Sequence, residues 1–575
     1  MPFNLIYEKW IPVRRKSGKR QDWIAPWQIA DMDDPPIALD AVRPDFNGAL
    51  IQFLIGLVQT AFAPKDDGIW RKYLRQSPKL EELKNVFKAV DYAFTLDTER
   101  FRFMQDPGEL PTGKKVEDKS YEIEMLLPTM PQKQTKEHNR DHFAKRNQVK
   151  ALCPACAAVA LYNVQSCAPG GGSGHYSSLR GAGPITTVIA GSRLWETVWL
   201  NVLTEDKFLS ETYGDKKKAD YGDKLPWMSE VNRKPRKPLE VRPPQANPAL
   251  MFWGMPWRIW LQMSETAAMC GVCGRSSNTS VAYFIKENNG TDYHDWIHVL
   301  SPFRETNQSK RKKQGKSKED AVECVGTKQA GTCYRYWLGL AFADKRARGQ
   351  HVAPVVSTFF DRAKWADMHT ELRHVAPRLW AFGYEFKKAE AACWHEGHFP
   401  VLAVEPSLQP GYEACVVRLV QTADVARAIL VANVLRAALE DRKKSKERNH
   451  NVPSNFWELS PDDAEGHAEE IRWQYDKSVG PAVEVAESRF WKETERNFYE
   501  VLDRCRQSLE RGENLDAYKL DWLGTLRKAA LAIFDDVAQT AQIADANAKR
   551  VAMARRNLEN SLKPDSKSLR RILGL

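Results

Sequence analysis

The sequence predicts an α+β fold, with a large mixed N-terminal domain over residues 1–405 and an all-α four-helix bundle over 406–575. Two patterns divide it there. Before residue 405, short apolar alternations are broken by Pro and Gly; beyond it, apolar residues recur by threes and fours with no strand signal between them. A third observation, two Cys-x-x-Cys pairs in the first part, would tie the mixed domain together through a structural zinc ion. At roughly 150 residues per domain, a chain of 575 residues is long enough for this division.

Taken in order, residues 4–13 alternate well enough for an edge strand ended by Pro12. From about Asp45 to Ala63, Leu50, Phe53, Leu54, Leu57 and Val58 recur at helical spacing and predict a buried helix. Residues 106–150 are polar and Pro-punctuated and read as a long surface loop. A helix is expected from Cys153 to about Gln165, breaking into a glycine-rich stretch. Residues 214–248 carry Lys216, Lys217, Lys218, Arg233, Lys234, Arg236 and Lys237 among prolines, an extended basic connector rather than a packed element. Lys310, Arg311, Lys312 and Lys313 read as an exposed loop. The bundle stripes are Leu419–Ala423–Ala426–Leu430–Val434–Ala437, Phe490–Thr494–Phe498–Val501–Cys505, Leu523–Leu526–Ala530–Ile533–Val537, and a fourth segment from about 545 to 562.

Composition narrows the function classes. Hydrophobic residues make up 43% and charged residues 28%, which excludes a mainly disordered chain. No stretch approaches ~18 uninterrupted apolar residues, so no transmembrane helix or membrane partner is expected. The opening residues meet Glu8 and Lys9 before a signal-type apolar core forms, and the expectation is a cytoplasmic chain. Lys and Arg total 85 against 74 Asp and Glu, a net charge of +11 that attracts polyanions. The ten cysteines lack the spacing of a secreted disulfide framework.

Four of those cysteines form Cys153-Pro-Ala-Cys156 and Cys270-Gly-Val-Cys273, separated by 113 residues (157–269). Each pair on a tight knuckle can supply two corners of a tetrahedron, and Gly274 suits the turn. Four sulfur ligands leave no open position, so the zinc would be structural; two unrelated pairs of buried thiols is the competing reading. Gly170, Gly171, Gly172, Ser173 and Gly174 match neither the phosphate-loop nor the dinucleotide pattern. Their bare backbone can approach a phosphate or a groove edge, or serve as a mobile linker. Asn139, Phe143, Lys145 and Arg146 lie in a run that mixes bases with an aromatic, a combination suited to single-stranded RNA as well as to a solvated loop. No catalytic constellation stands out. His294 and His298, 21 and 25 residues after Cys273, resemble the histidines of zinc-supported HNH nucleases and keep that alternative open.

Read together, these residues resemble the CasA large-subunit family of the type I-E CRISPR surveillance complex, Cascade. The densest match runs from Leu152 through the first cysteine pair, Gly174-His175 and Ser178-Leu-Arg-Gly181 to Asn201-Val-Leu-Thr204. The resemblance implies a non-catalytic reader. It would recognise the short motif flanking a double-stranded DNA target (the protospacer-adjacent motif, PAM), help open the duplex and stabilise the R-loop. It would also contact the 5′ handle of the CRISPR RNA, assemble with the other Cascade subunits and recruit the helicase-nuclease in antiviral defence. The family's glycine loop falls on Gly170 to Gly174, with Ser173 where the better-known pattern has glycine. Its lysine finger falls two positions beyond Lys286, where this chain has Asn288, so the resemblance implies that Lys286 or Asn288 does the reading. Its amide wedge aligns with Lys388 beside Ala389, with Lys387 before it, and its handle-contacting aromatic falls on Phe143.

Overall fold

The computed structural model describes residues 2–108, 116, 119–138, 145–171, 174–211, 224–229, 239–243, 246–305, 322–327, 333–341, 350–364, 368–387, 389–401, 404, 407–438, 480–540 and 548–575. Contacts divide the chain into two compact units. One comprises Met1–Gly331 with Ala347–Val401, the other Thr332–Arg346 with Leu402–Leu575.

The first unit opens differently from the edge strand expected over 4–13. Asn4 accepts from the Ile6 N–H at 2.9 Å and donates to the Asp91 carbonyl and Thr95 Oγ1, so residues 4–8 form a turn with Leu5 and Ile6 fully buried. Side-chain hydrogen bonding of this kind outcompetes a strand. Strand β1 is Ile11–Arg15, and it lies between β2 (Asp22–Ile24) and β3 (Pro36–Leu39) as the central strand. Pro12 sits within it, and its carbonyl accepts from the Asp40 N–H at 2.9 Å.

Helix α1, Pro44–Ala61, starts on a proline whose φ is preset for a first turn. Every residue from Gly48 to Gln59 is buried, so the helix is enclosed on all sides. A Cβ at Gly48 would stand 2.7 Å from Trp394, and one at Gly56 2.9 Å from Phe252. Glycine at these two positions lets aromatic rings pack directly on the helix backbone.

The described parts of 106–150 are not wholly the surface loop expected. Strand β4, Ser120–Glu122, is followed by a 3-10 turn that buries Ile123, Leu126 and Leu127. The Glu124 carboxylate, also buried, accepts from the N–H groups of Asn147 and Gln148 at 3.0 and 3.1 Å. A short apolar run carries too little periodicity to be read as an element. Helix α2, Pro154–Cys167, follows, and then β5, Thr186–Ala190. The described parts of 214–248 are packed too. Trp227 is fully buried and donates to the Ala93 carbonyl at 2.6 Å, and Leu239–Val241 pairs in parallel with Thr291–Tyr293. The basic runs at 216–218, 233–237 and 310–313 lie outside the described residues.

Two three-stranded antiparallel sheets position the turns nearest the glycine-rich stretch. In one, β7 (Ser280–Glu287) is central between β4 and β6 (Arg258–Ser264). In the other, β8 (Arg378–Lys387) is central between β5 and β9 (Glu390–Pro400). Helices α1 and α2 and strand β8 meet at a buried polar tie. Asn163 donates to Asp45 Oδ2 and to the Tyr384 hydroxyl oxygen, 3.2 Å each, while the Tyr384 hydroxyl donates to the same carboxylate. Arg43 completes it with two hydrogen bonds to Asp45, at 3.0 and 2.8 Å. Burial, then the Asp45 charge, raise the Tyr384 pKa well above the usual tyrosine value, so the hydroxyl stays a donor.

The second unit contains helices α3 (Gln409–Ala438), α4 (Gly480–Glu510), α5 (Asp516–Val537) and α6 (Ala548–Ser561). The apolar stripes read from the sequence are buried in α3, α4 and α5. Neighbours run in opposite directions. Arg427 pairs with Glu487 and Arg489 with Asp536, both at 2.8 Å, while Arg527 meets Glu559 and Arg555 meets Asp535. A helix not anticipated, Tyr334–Ala341, packs within this unit. Its Tyr334 ring stacks on Phe498 at 4.4 Å and its hydroxyl meets Thr494 Oγ1 at 2.8 Å.

Replacing Tyr384 by Phe removes the donor facing a buried carboxylate, a change that costs about 1–3 kcal/mol. Tyr384→Phe is expected to unfold at lower urea concentration than the parent, followed by tryptophan fluorescence. An unchanged midpoint would show that the tie contributes nothing.

Candidate nucleic-acid interface and cysteine cluster

Helix α2 ends at Cys167 and hands the chain to the glycine-rich loop. The Ser178 N–H bonds the Ala168 carbonyl at 2.9 Å and the Gly171 N–H bonds the His175 carbonyl at 3.1 Å, which pins the loop at its neck. Gly174 has φ +78°, and a Cβ there would lie 2.7 Å from the backbone nitrogen of Asn289. The Gly174 carbonyl accepts from the Gly290 N–H at 3.2 Å. On the other side, a Cβ on Gly171 would stand 3.3 Å from that of Ala389, in the turn joining β8 and β9.

Three segments far apart in sequence therefore meet: the glycine loop, the turn after β7 that holds Asn288, and the hairpin tip holding Lys387 and Ala389. Gly170, Asn288 and Lys387 are exposed. Both turns bend through left-handed residues, Asn289 at φ +61° and Ala389 at φ +66°. Lys387 Nζ lies 3.7 Å from Glu385 Oε1. Thr135 Oγ1 donates to Glu390 at 2.7 Å, so the short helix Lys133–Glu137 abuts the same tip. Gly172, Ser173 and Lys388 lie outside the described residues, as do Asn139 and Phe143; Lys145 is exposed and Arg146 half-buried.

Lys286 is positioned differently from Asn288. Its ammonium sits 3.1 Å from the centroid of the Trp257 ring, beneath the glycine loop. Trp257 is held by its indole N–H to the Tyr176 carbonyl at 2.9 Å and by backbone bonds to the Gln165 amide at 2.9 and 3.1 Å. The ring face favours the ammonium, but burial wins and draws the Lys286 pKa down to about 7. Burial, and then the nearby Lys286, lower His175 to about 4. Lys286 thus seats the loop from below while Asn288 points to solvent. Trp257 escapes a sequence reading because it lies 81 positions beyond Tyr176, at the end of the loop segment it supports.

The two cysteine pairs come together. Cys153 caps α2 and Cys156 lies in its first turn, with Pro154 between them. The second knuckle is closed by the Gly274 N–H on the Cys270 carbonyl at 3.0 Å, and Gly274 takes φ +71°. All four Sγ atoms lie within 4.8 Å of one another, with Cys153 and Cys273 3.7 Å apart. Zn–S bonds of about 2.3 Å place tetrahedral sulfurs about 3.8 Å apart. The donor set therefore fits a tetrahedral ion and could hold a metal. Among the described residues only one other cluster has metal-type donors, Glu385, Cys393 and His395, and neither group includes His294 or His298. His294 pairs with Asp292 at 3.1 Å. His298 is buried against Phe252 and accepts from the Leu300 N–H at 3.0 Å.

The sequence matches a family described as "CRISPR-associated protein Cse1" over residues 4–533. Solved structures with the same fold include CasA (Cse1) of Thermus thermophilus, at 16% identity and TM-score 0.63, covering 98% of this chain and 99% of that one. Cse1 of Thermobifida fusca is 14% identical with TM-score 0.64, covering 100% and 98%. A chain of a "CRISPR RNA-guided surveillance complex" is 14% identical with TM-score 0.60, covering 98% and 99%.

The Lys286 environment has a pH signature. Below about pH 7 the lysine is charged in both folded and unfolded chains, and the fold bears the full cost of burying the charge. Above that the folded protein releases the proton first, so stability rises until the unfolded lysine also titrates near 10.4. Relative to Lys286→Met, the parent protein is expected to gain urea resistance between pH 7 and 10. Parallel profiles for the two proteins would refute the assignment.

Proposed function

The chain belongs to the CRISPR-associated protein Cse1 family, and on that premise we propose that it is the non-catalytic large subunit of a type I-E Cascade complex that reads the motif flanking a double-stranded DNA target. The observation carrying this reading is the meeting of the glycine loop, the Asn288 turn and the Lys387–Ala389 tip on one surface. Guide RNA pairing reads the long target sequence, so the protein need recognise only a short motif and the shape of the duplex. Gly170 and Gly171 offer a backbone without side chains to the minor groove, whose degenerate acceptors suit tolerant reading. Asn288 supplies the amide beside them, while Lys387 and Lys388 enter between the strands or neutralise phosphates as the R-loop opens. Asn139, Phe143, Lys145 and Arg146 contact the CRISPR RNA handle. The remaining subunits and the helicase-nuclease are its protein partners in the cytoplasm.

In the same reading, residues 1–405, apart from the Thr332–Arg346 segment and the few residues after Val401 that belong to the second unit, form the recognition domain, and 406–575 form the four-helix bundle. Cys153, Cys156, Cys270 and Cys273 hold a structural zinc ion that joins the start of α2 to the second knuckle.

Gly170→Asp tests the reader directly, because a Cβ there meets nothing closer than 3.6 Å and the fold should be undisturbed. Within the assembled complex this variant is expected to bind duplex target at least tenfold more weakly, about 1.4 kcal/mol, with assembly on the guide RNA unchanged. Parent-like target affinity would overturn the loop's role. For the cysteine cluster, Cys270→Ser is expected to lose bound zinc by elemental analysis and to melt at lower temperature, because metal affinity is linked to folding. Equal metal content and melting in both proteins would refute the zinc assignment.

A further inference from the structure

The hairpin β8–β9 carries a second set of metal-type donors. Glu385 of β8 stands opposite Cys393 of β9, and His395 follows Cys393 by two, so all three share one face. Cys393 Sγ lies 2.8 Å and Glu385 Oε2 3.0 Å from His395 Nε2, and Sγ and Oε2 are 3.6 Å apart. Glu385 is buried and the other two are half-buried.

A thiol, an imidazole and a carboxylate together raise the question of a nucleophile relay. A relay uses the two ring nitrogens for different partners, one for the thiol and the other for the orienting carboxylate. Here both partners approach the same nitrogen, Nε2, so the relay geometry is absent. Three donors converging on one point is instead the arrangement around a cation. Zinc bonds of about 2.0–2.3 Å separate tetrahedral ligand atoms by about 3.3–3.8 Å, so Sγ and Oε2 already have the right spacing, and the His395 ring has to draw back by about 0.3 Å from Oε2 and about 0.7 Å from Sγ. One thiolate and one carboxylate balance a divalent charge, and a mixed S, N, O set suits a borderline-soft ion.

We propose that Glu385, Cys393 and His395 form a zinc site that clips the hairpin β8–β9, with its fourth position open to solvent. The second Glu385 oxygen, Oε1, faces Lys387 Nζ at 3.7 Å, so the carboxylate that binds the ion also orients a lysine at the hairpin tip. The ladder shifts register between Glu385 and Phe386, immediately beside the site. Such a bulge re-aims side chains next to functional positions. The proposal is independent of what the hairpin tip binds.

The full-length chain, stripped with a chelator and titrated with zinc, provides the test. His395→Gln, a half-buried strand position, should keep the parent far-UV circular dichroism and bind one zinc ion fewer per chain. Cys393→Ser should do the same and, in a cobalt titration, lose the part of the thiolate charge-transfer absorption that the four-cysteine cluster does not supply. Because the criterion is a difference of one ion, it holds whatever the four-cysteine cluster binds. Equal stoichiometry in the parent and both folded variants would overturn the proposal.

Discussion

A single buried carboxylate, Asp45, sets the spacing on which the candidate interface depends. It receives hydrogen bonds from Asn163 on α2, Tyr384 on β8 and Arg43 at the start of α1. Helix α2 begins at the first cysteine pair and ends in the glycine loop, and β8 runs on to the Lys387–Ala389 tip. Fixing these two elements to the same carboxylate fixes the distance between the loop and the tip. An unpaired charge buried there would cost several kcal/mol, so the three partners are required together. Gly48 of α1 reinforces the arrangement by letting Trp394 and Phe382 close onto the helix backbone.

At the interface, clearance matters more than attraction. The loop touches its neighbours where Gly171 and Gly174 carry no side chain, and the Asn289 turn is followed by Gly290, where a Cβ would lie 1.8 Å from the Pro256 carbonyl. Asn289 and Ala389 each hold a left-handed conformation that costs on the order of 1 kcal/mol outside glycine. Such strain persists only where surrounding contacts over-determine the backbone. The Lys286–Trp257 contact supplies one such constraint from beneath, which is why Lys286 supports the loop while Asn288 faces outward.

Elements with long-range periodicity were legible, and elements set by a few side chains were not. The stripe from Leu50 to Val58 locates α1 to within a few residues, and those of α3, α4 and α5 locate three long helices, because repeated burial on a helical face leaves a regular trace. The turn at Asn4 left no such trace, since one amide side chain decides it. The same holds for Ile123, Leu126 and Leu127, which follow a strand paired with residues 161 to 165 positions later, and for Trp227 inside an apparently basic connector. Helix Tyr334–Ala341 is too short to stand out from its flanks. Its place among the C-terminal helices comes from Tyr334 meeting Phe498 and Thr494, a contact between residues about 160 positions apart.

By itself the sequence marked out the family and some of the candidate groups. Two cysteine knuckles are visible from the i, i+3 spacing, the glycine loop from composition, and the family from residues in fixed order, because each is a local property of the chain. Only the tertiary structure decided which of those groups share a location. It brought four sulfurs within 4.8 Å across 113 intervening residues, and it brought Gly171 and Gly174 against Ala389 and Asn289. It also seated Lys286 on Trp257 and aligned Glu385, Cys393 and His395 on one face of a hairpin. Convergence of this kind follows from strand register and buried hydrogen bonds between distant segments. No local pattern encodes it, because the free energy that fixes it arises only when those segments are packed together.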